Sequence, residues 1–509
     1  MAVANLTEVL RRQANRRGDA EALVDGAQRW TYAELDADVD RYAAALLAGG
    51  VRADDLVGLL GRNHARYLIE LLAIARIGAV SVPLNWRLHA DEQSWILDQA
   101  GIGVLLFDDD FADDAATLRE RAGLRVSLAH GERTVGGDPR IDDLLAQVPA
   151  GVRVPDAEKG PDDLHRLLYT SGTTSRPKGV MHTYGNIAAN HLGQLLELEL
   201  TPADRILISA PLFHVSGLEA PGLATFLAGG TIVLCETFKP DEIAEVVHRE
   251  QVTGLVLAAQ ILFGIMDLGR MDDLASIRYL LFAGVAPTVR RRVKELLPQV
   301  RLVDTYGMTE LTNGCCYMDA AHEQEKVGAL GVPLPLMQLR IVDADFQEVE
   351  AGTQGEIIVR GAKVSPGYWR DEATTAASRR DGWFLTGDVG YLDVDGYLWF
   401  VDRRTDLIKS GGENVATAEV ERVLAALDGV AEVAVIGVPD PRWDEVPKAF
   451  VLLAEGADLD EDAIRSHCLA HLAKFKVPRD IALVDALPRN DSGKVLKRVL
   501  RANETGGER

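Results

Sequence analysis

The chain has few cysteines. Four occur among its 509 residues, without CxxC spacing or nearby paired histidines: Cys235, Cys315, Cys316 and Cys468. A disulfide scaffold needs closely spaced cysteines and a structural zinc site needs clustered ligands, so neither class is favoured. Free cysteines at this density are typical of a reducing compartment, which predicts a cytoplasmic protein. The two adjacent cysteines are predicted to be small packing residues.

Long apolar runs are also missing. The run 68–84 is interrupted by Glu70 and Arg76, and the run 220–235 contains Pro221 and paired glycines. A membrane-spanning helix needs about 18 or more uninterrupted apolar residues. The N-terminal segment becomes charged within about ten residues and has no apolar signal-peptide core. We therefore expect neither a membrane span nor secretion.

Positive charge is in the minority. The 54 lysines and arginines face 77 aspartates and glutamates, which gives a formal net charge of −23. Such a chain should be repelled by nucleic acids and by anionic membranes, so we expect neither as a partner. Any phosphate that the protein binds must be held by local groups working against the overall field.

The chain does have ample apolar material and regular patterning. Apolar residues make up 47% and charged residues 26%, an ordinary globular balance. A length of 509 residues predicts two or more packed units. In the segment 31–49, Thr31 and Glu34 have the spacing of a capping box. The residues expected on the buried stripe of that helix are Tyr32, Leu35, Val39, Ala43 and Leu46.

Short apolar runs at 56–60, 104–107, 231–234 and 254–257 indicate buried strands separated by helices, so parallel pairing is predicted. From about Gly355 the texture changes to aromatic, glycine-rich alternation typical of antiparallel strands. The last hundred residues contain a further helix, 415–427, and can form a small unit. The predicted fold class is therefore α/β: a large N-terminal domain of parallel-sheet subdomains with a small β-rich subdomain, followed by a small mobile α+β C-terminal domain.

The strongest local motif is YTSGTTSRPKGV, residues 169–180. Small and hydroxyl residues let a backbone approach a polyphosphate, and Lys178 supplies a positive charge. The order GxxxxGK[ST] of the kinase and ATPase loop is absent. An ordinary polar turn is the alternative. The candidate phosphate-binding residues are Thr170, Ser171, Gly172, Thr173, Thr174 and Lys178.

With this motif the sequence resembles the adenylate-forming superfamily of acyl-CoA synthetases, adenylation domains and luciferases. Ser175 stands where that family usually has glycine. The segment DTYGMTE, 304–310, is similar to the family's YGxTE motif. The resemblance implies that Tyr306 stacks on adenine, that Thr309 contacts the α-phosphate and that Glu310 helps to hold Mg²⁺. A strand-end turn capped by Thr and Glu is the alternative for this heptapeptide.

The same resemblance assigns further residues around the nucleotide. Asp304 and Gly307 fall in the YGxTE region, and Thr173 is a second candidate ligand of Mg²⁺. FAGVAP, 282–287, looks like the strand end against which the family lays adenine, with contacts from Ala283 and Gly284. WFLTGD, 383–388, resembles a motif whose aspartate, here Asp388, holds the ribose hydroxyls; a simple turn residue is the competing interpretation.

DRRTDLIKSGGENV, 402–415, is similar to the family's crossover between its large and small domains. The match places Arg403 on the ribose or phosphate and Gly412 beside the pantetheine tunnel. The family usually has aspartate or lysine as hinge where this chain has Thr405, so either Thr405 or Asp406 is the pivot. Lys494 matches the C-terminal lysine that bridges the carboxylate and the α-phosphate; a solvated surface charge is the alternative.

A second set of residues suggests CoA as the acyl acceptor. Basic residues and one tryptophan resemble positions that contact the CoA nucleotide in aryl-CoA ligases, against the alternative of ordinary surface residues: Arg87, Trp443, Lys476 and Arg479. His214 occupies the position where the family lines its acyl pocket, unless it is a structural histidine. Amino-acid adenylating domains have an aspartate here, and without it an ammonium would lack a counter-ion. The remaining pocket segments, 215–217, 258–262, 282–285 and 311–316, are apolar or small, which predicts an uncharged aliphatic or aryl acid.

The resemblance thus implies an ATP-dependent, AMP-forming acid:CoA ligase with ATP, Mg²⁺ and CoA as cofactors or cosubstrates. Its catalytic residues would be Lys494, Thr309 and His214. The predicted division is an N-terminal domain 1–401, a hinge 402–406 and a mobile domain 407–509. The alternatives are a stand-alone enzyme that loads a carrier-protein thiol and a non-catalytic acyl-nucleotide binder. A homodimer is left open.

Overall fold

The computed structural model describes residues 5–170, 177–282, 287–404, 406–410, 413–440, 443–454, 456–489 and 495–504. Its helices are α1 Leu6–Arg17, α2 Tyr32–Ala48, α3 Ala65–Arg76, α4 Ala90–Ala100, α5 Ala112–Ala122, α6 Ile141–Gln147, α7 Tyr184–Glu197, α8 Val215–Glu219, α9 Ala224–Ala228, α10 Pro240–Glu250, α11 Ala259–Asp267, α12 Pro287–Leu296, α13 Glu372–Ala377, α14 Thr417–Ala425, α15 Glu461–His471 and α16 Lys497–Glu504. In the described part of the chain, no helix is long and apolar enough to cross a membrane.

Its strands are β1 Glu21–Asp25, β2 Gln28–Thr31, β3 Leu56–Leu60, β4 Val80–Pro83, β5 Val104–Asp108, β6 Val126–His130, β7 Leu164–Thr170, β8 Lys178–Thr183, β9 Arg205–Ile208, β10 Thr231–Leu234, β11 Gly254–Val256, β12 Tyr279–Phe282, β13 Arg301–Met308, β14 Asn313–Tyr317, β15 Val332–Pro333, β16 Met337–Val342, β17 Gly355–Gly361, β18 Arg379–Arg380, β19 Trp383–Leu392, β20 Leu398–Arg403, β21 Ile408–Ser410, β22 Glu413–Val415, β23 Val430–Asp440, β24 Asp444–Leu453 and β25 Asp480–Leu483.

Two mostly parallel sheets carry the large part of the chain. The first has the order β6-β5-β3-β4-β7-β8, and only its edge strand β8 runs antiparallel to its neighbour. The second has the order β15-β14-β13-β12-β11-β9-β10-β1-β2 and is parallel from β13 to β1. The four predicted apolar strands are β3, β5, β10 and β11, so the parallel pairing is confirmed.

Helix α2 forms as its sequence predicts. The Thr31 side chain accepts a hydrogen bond from the Glu34 backbone N–H, and the Glu34 carboxylate accepts one from the Thr31 backbone N–H, which satisfies two free donors of the first turn. The five predicted stripe residues are all fully buried. They pack in one core with α3 and with strands of both sheets, including Val57 of β3 and Ile232 of β10.

Two smaller sheets follow. The antiparallel sheet β16-β17-β19-β18, with β20 paired to β19, corresponds to the predicted change of texture near Gly355. The last sheet has the order β22-β21-β24-β23, with β25 parallel to β24, and its apolar face packs with α14 and α15. The predicted fold class is confirmed; the predicted domain limits and hinge stay predictions.

Candidate active site

The predicted phosphate motif lies on the hairpin of β7 and β8. Thr170 and Lys178 are direct partners across this hairpin, so both flank the connecting loop. Within that loop, Ser171, Gly172, Thr173, Thr174 and Ser175 lie outside the described residues. A β-carbon on Gly179 would lie 2.9 Å from the Tyr169 ring, so the close packing of this ring on β8 requires glycine at that position.

The YGxTE motif lies in a β-hairpin, which is more extensive than the capped turn that was its alternative interpretation. Residues up to Met308 belong to β13, a 3₁₀ turn covers 309–311, and β14 returns antiparallel to β13. A β-carbon on Gly307 would lie 2.1 Å from the backbone oxygen of Asn313, so only glycine lets the two strands approach this closely. The carboxylate of Asp304 accepts a hydrogen bond from the buried guanidinium of Arg290 and therefore takes part in holding α12 to β13.

Asp388 sits in the middle of a chain of polar contacts. Its Oδ2 accepts a hydrogen bond of 2.9 Å from the Tyr306 hydroxyl, and Nε of Arg403 lies 3.4 Å from its Oδ1. Asp388 and Arg403 are register partners on β19 and β20, so the interpretation of Asp388 as a simple turn residue is wrong. Burial, followed by the negative charge of Asp388, raises the pKa of Tyr306 well above its usual value. The sheet thus presents a carboxylate, a neutral phenol and a guanidinium at one place.

Glu310 and Lys178 meet at a residue that the sequence did not single out, Tyr368. The Tyr368 hydroxyl donates a hydrogen bond of 2.9 Å to Oε1 of Glu310, while Nζ of Lys178 lies 5.5 Å from the centre of the Tyr368 ring. The segment 367–369 pairs with β8 through backbone bonds of Met181 to Gly367 and of Trp369 to Gly179. In the sequence, residues 367–369 are part of the aromatic, glycine-rich segment that predicts antiparallel strands. No local pattern links Tyr368 to either charged residue.

Magnesium would have one carboxylate ligand here. No group of three His, Cys, Asp or Glu side chains that could hold a metal occurs among the described residues. Mg²⁺ at nucleotide sites is commonly bound by one or two carboxylates together with substrate phosphates, and it keeps several waters. Glu310, half-buried at the end of β13, fits that donor set.

Thr309 is joined to the first sheet through His182. Nε2 of His182 donates a hydrogen bond of 2.7 Å to the backbone oxygen of Thr309, across 127 residues of sequence. Burial, and then the charge of Arg166, lower the pKa of His182 to about 4. The imidazole is therefore neutral at neutral pH and ties β8 to the turn that carries Thr309 and Glu310.

This histidine should make folding sensitive to acid. An unfolded histidine titrates near pH 6.5, so between pH 6.5 and pH 4 the unfolded state binds a proton that folded His182 does not. Its contribution is complete above pH 6.5, and stability decreases by about 1.4 kcal/mol per pH unit as pH falls through this window. Urea unfolding from pH 7 to pH 4.5 should give a shallower decline for His182→Gln than for the wild type. Parallel profiles would contradict the assignment.

A buried ionic cluster contacts the hairpin of β13 and β14. Nη2 of Arg166 lies 2.7 Å from Oε1 of Glu219, and Nε2 of His191 lies 2.8 Å from Oε2. Burial disfavours the charge of Glu219, but His191 and Arg166 outweigh it and lower its pKa to about 2. The backbone oxygen of Glu219 accepts a bond of 2.7 Å from Asn313 in β14. Sequence reasoning missed this cluster, because Glu219 stands in the ordinary string GLEAPG.

His214 begins α8. Its Nδ1 accepts a hydrogen bond from the Ser216 backbone N–H at 3.2 Å and lies 2.7 Å from the Ser216 hydroxyl. The ring is half-buried and its helix packs against β14. In β14, Cys315 and Cys316 are buried free thiols, as predicted. His214 therefore caps α8, and α8 contacts β14, which contains part of the predicted acyl-pocket segment 311–316. The structural role of this histidine and its assignment to the acyl pocket do not exclude each other.

The candidate CoA residues fall into separate groups. Nη1 of Arg479 lies 3.1 Å from Oδ2 of Asp440, and its guanidinium is 5.6 Å from the centre of the Trp443 ring. Lys476 is instead 2.7 Å from Oε2 of Glu419. Arg87 lies in the N-terminal part, with its guanidinium 4.7 Å from the Trp86 ring centre and 5.5 Å from that of Phe238.

The crossover segment 402–415 is bound to two helices of the C-terminal part, α14 and α16. Oδ2 of Asp402 accepts hydrogen bonds from the Thr417 backbone N–H at 2.6 Å and from its hydroxyl at 2.7 Å, at the start of α14. Asp406 binds Arg501 of α16 at 2.7 Å. Besides the residues of the 171–175 loop, five further predicted residues lie outside the described parts of the chain: Ala283, Gly284, Thr405, Gly412 and Lys494.

The chain is similar to known proteins over most of its length. A family model described as AMP-binding enzyme matches residues 10–369, and one described as AMP-binding enzyme C-terminal domain matches residues 419–494. Feruloyl-CoA synthase from Amycolatopsis sp is 40% identical over 493 residues, covering 96% of this chain and 97% of that protein. Indoleacetate–CoA ligase from Aromatoleum aromaticum is 37% identical over 471 residues, covering 92% of each. The structure of o-succinylbenzoate CoA synthetase from Bacillus subtilis with its acyl-adenylate has a TM-score of 0.86 at 33% identity, covering 97% of each chain.

Proposed function

The chain belongs to the AMP-binding enzyme family and is an AMP-forming acid:CoA ligase, and from this premise we propose that its acid is an uncharged aryl carboxylic acid. The observation that carries the proposal is the hairpin of β13 and β14. It holds Thr309 and Glu310 at its turn and buries Leu311, Cys315 and Cys316 directly after them. An acid whose carboxylate points at the turn would lay its body along a wall that carries no charge in 311–316.

Two further points support the proposal. Lys363 is buried near this wall, and its ammonium group donates to the backbone oxygen of Gly314. Burial lowers the pKa of Lys363 to about 8, so its ammonium group is still mostly protonated at neutral pH and stays bound to the Gly314 carbonyl oxygen. The names of the two relatives denote ferulate and indoleacetate, which are aromatic acids.

Adenylation requires two anions, the acid and ATP, to meet. We assign Tyr306 to the adenine, Asp388 and Arg403 to the ribose, and Thr309, Lys178 and the 170–174 loop to the phosphates. A bound Mg²⁺ on Glu310 and Thr173 would neutralise charge on the leaving pyrophosphate. Held this way, the carboxylate oxygen attacks the α-phosphorus, and the products are the acyl-adenylate and pyrophosphate.

The second half-reaction replaces AMP by CoA. We propose that residues 407–509 rotate about 402–406, withdrawing Lys494 and bringing Gly412 beside the thiol. The thiolate then attacks the acyl carbon and AMP leaves. Trp443 and Arg479 stand together and offer an aromatic ring and a guanidinium to the CoA nucleotide, whereas Lys476 pairs with Glu419 and Arg87 lies in the N-terminal part. A cytoplasmic location and a homodimer stay predictions.

Pyrophosphate release with an acid panel tests this function. The panel should pair hydroxycinnamic, phenylacetic and benzoic acids with straight-chain acids of matched carbon number. We expect kcat/KM at least about tenfold higher for the best aryl acid than for its aliphatic match, the discrimination typical of one apolar pocket. AMP release should then require CoA. Preference for straight-chain acids would overturn the aryl assignment, and AMP release only with a carrier-protein thiol would overturn CoA as the acceptor.

Tyr368 offers a matched test of the metal assignment. Tyr368→Phe keeps the ring beside Lys178 but removes the donor to Glu310, which no longer has its orientation fixed. A hydrogen bond to a charged group is worth about 1.5 kcal/mol, so the free Mg²⁺ needed for half-maximal pyrophosphate release should increase about tenfold. Tyr391→Phe is the control, since that ring stacks on Trp399 at 5.9 Å. An unchanged Mg²⁺ requirement in Tyr368→Phe would contradict the role of Glu310.

A further inference from the structure

A cavity of about 530 Å³ opens beside α7, and none of its lining residues is among those assigned above to nucleotide, acid or CoA. Its walls come from α1, α7 and α9, from β7 and the end of β8, from the loops that precede β7 and β16, and from the residue that follows β17. This volume lies within the range of small-molecule sites, roughly 300–1,000 Å³. Leu192 and Leu336, which are 47% and 65% exposed, stand among the lining residues and leave apolar surface open to a ligand.

The described lining is mostly apolar and contains no lysine or arginine. Its polar members are largely engaged elsewhere. Asn186 donates to the backbone oxygens of Ala362 and Val364, Tyr184 donates to that of Ala75, and His191 contacts Glu219. Asp162, the acidic member, is exposed. A charged group in the buried part of the cavity would therefore find no counter-ion, which is costly.

His165 is the exception among these polar groups. The side chain is only 2% exposed, yet neither ring nitrogen has a hydrogen-bond partner in the described part of the structure. Its ring contacts Tyr184 edge to face, with the centres 4.7 Å apart, and lines the cavity. Burial, and then the charge of Arg166, lower the pKa of His165 well below its usual value. The result is a neutral imidazole with one donor and one acceptor, both without a partner in the described part of the structure.

We propose that this cavity binds a small, uncharged and largely apolar molecule that carries one hydroxyl group, which hydrogen-bonds to His165. The apolar walls take the body of the ligand. The hydroxyl both donates and accepts, so it can pair with a neutral imidazole whichever nitrogen carries the proton. A buried polar group without a partner costs free energy, and this ligand would remove that cost. The site is separate from the ligase site and does not depend on the identity of the acid.

Fluorescence titration with 1-pyrenemethanol tests the proposal, with 1-methylpyrene and 1-pyrenecarboxylate as matched probes. All titrations contain saturating ATP, Mg²⁺ and the preferred acid, so that the ligase site is occupied. We expect saturable binding of the alcohol, about tenfold tighter than that of either matched probe, the difference made by one buried hydrogen bond. His165→Phe should weaken the alcohol about tenfold and leave 1-methylpyrene unchanged.

Two cavity variants complete the test. Ala188→Trp fills the cavity from a half-buried position on α7, and Leu192→Trp covers it from a side chain that is 47% exposed and makes little demand on folding. Either variant should abolish binding of the alcohol while leaving pyrophosphate release unchanged. Absence of saturable binding in the wild type, a preference for the carboxylate, equal binding in Leu192→Trp, or unchanged alcohol affinity in His165→Phe would each overturn the proposal.

Discussion

Replacing Asp388 with alanine should reduce kcat/KM for ATP by about 10²–10⁴-fold in the adenylation reaction. Two charge-assisted hydrogen bonds to the ribose would be lost, each worth about 1.5–3 kcal/mol. The change also removes the acceptor of the buried Tyr306 hydroxyl and the carboxylate beside Arg403. Since AMP stays bound while CoA attacks, thioester formation from added acyl-adenylate should decrease as well.

A graded pair of variants separates these contributions. Tyr306→Phe removes only the hydroxyl that donates to Asp388 and should lower kcat/KM for ATP less than about tenfold, the value of one hydrogen bond. Exchange of labelled pyrophosphate into ATP measures adenylation, and near-ultraviolet circular dichroism checks that both variants keep the native packing. An Asp388→Ala enzyme within threefold of the wild type would show that the ribose is held elsewhere.

Replacing Lys494 with alanine should affect one half-reaction and spare the other. In the adenylating arrangement that we propose, its ammonium group bridges the carboxylate and the α-phosphate, where negative charge accumulates. Removing one such preorganised partner typically lowers the rate by about 10²–10³-fold. In the thioester-forming arrangement the lysine is withdrawn, so transfer from preformed acyl-adenylate to CoA should proceed at the wild-type rate.

The control for this experiment is Lys474→Ala, which removes an exposed lysine from the same part of the chain. It should leave both half-reactions unchanged. Equal losses in the two half-reactions of Lys494→Ala would refute the assigned role, and undiminished pyrophosphate release would show that the lysine is an ordinary surface charge. The contrast with Asp388→Ala, which should impair both steps, makes the pair of variants a direct test of domain alternation.

Motif spacing predicted several of the groups that the described part of the structure brings together. Tyr306 and Asp388 were assigned to the same nucleotide from separate motifs, and in the folded chain they are hydrogen-bonded across 82 residues. Helix α2 and the four apolar strands could also be predicted from the sequence, because burial of one face imposes a periodic spacing of apolar residues along the chain. The alternative interpretation of Asp388 as a turn residue is wrong because neighbouring strands extend β19 through and beyond it.

The supporting residues had no such signal. Tyr368 reaches Glu310 only because the segment 367–369 pairs with the edge of β8, a contact that no local spacing encodes. His182 and Glu219 are ordinary members of apolar strings, and their partners, Thr309 and Arg166, lie on other elements. Neither could be identified before the two parallel sheets were placed side by side.

The sequence by itself therefore determined the family chemistry and the α/β class, and it supplied the candidates for contact with ATP and the acid, since these depend on residue types at fixed short spacings. Tertiary structure alone decided how those residues are held: by a phenol between Glu310 and Lys178, a neutral His182 under Thr309 and a buried pair of Arg166 with Glu219. Such contacts join residues far apart in the chain, and desolvation, which sets their charge states, exists only after the sheets have packed together.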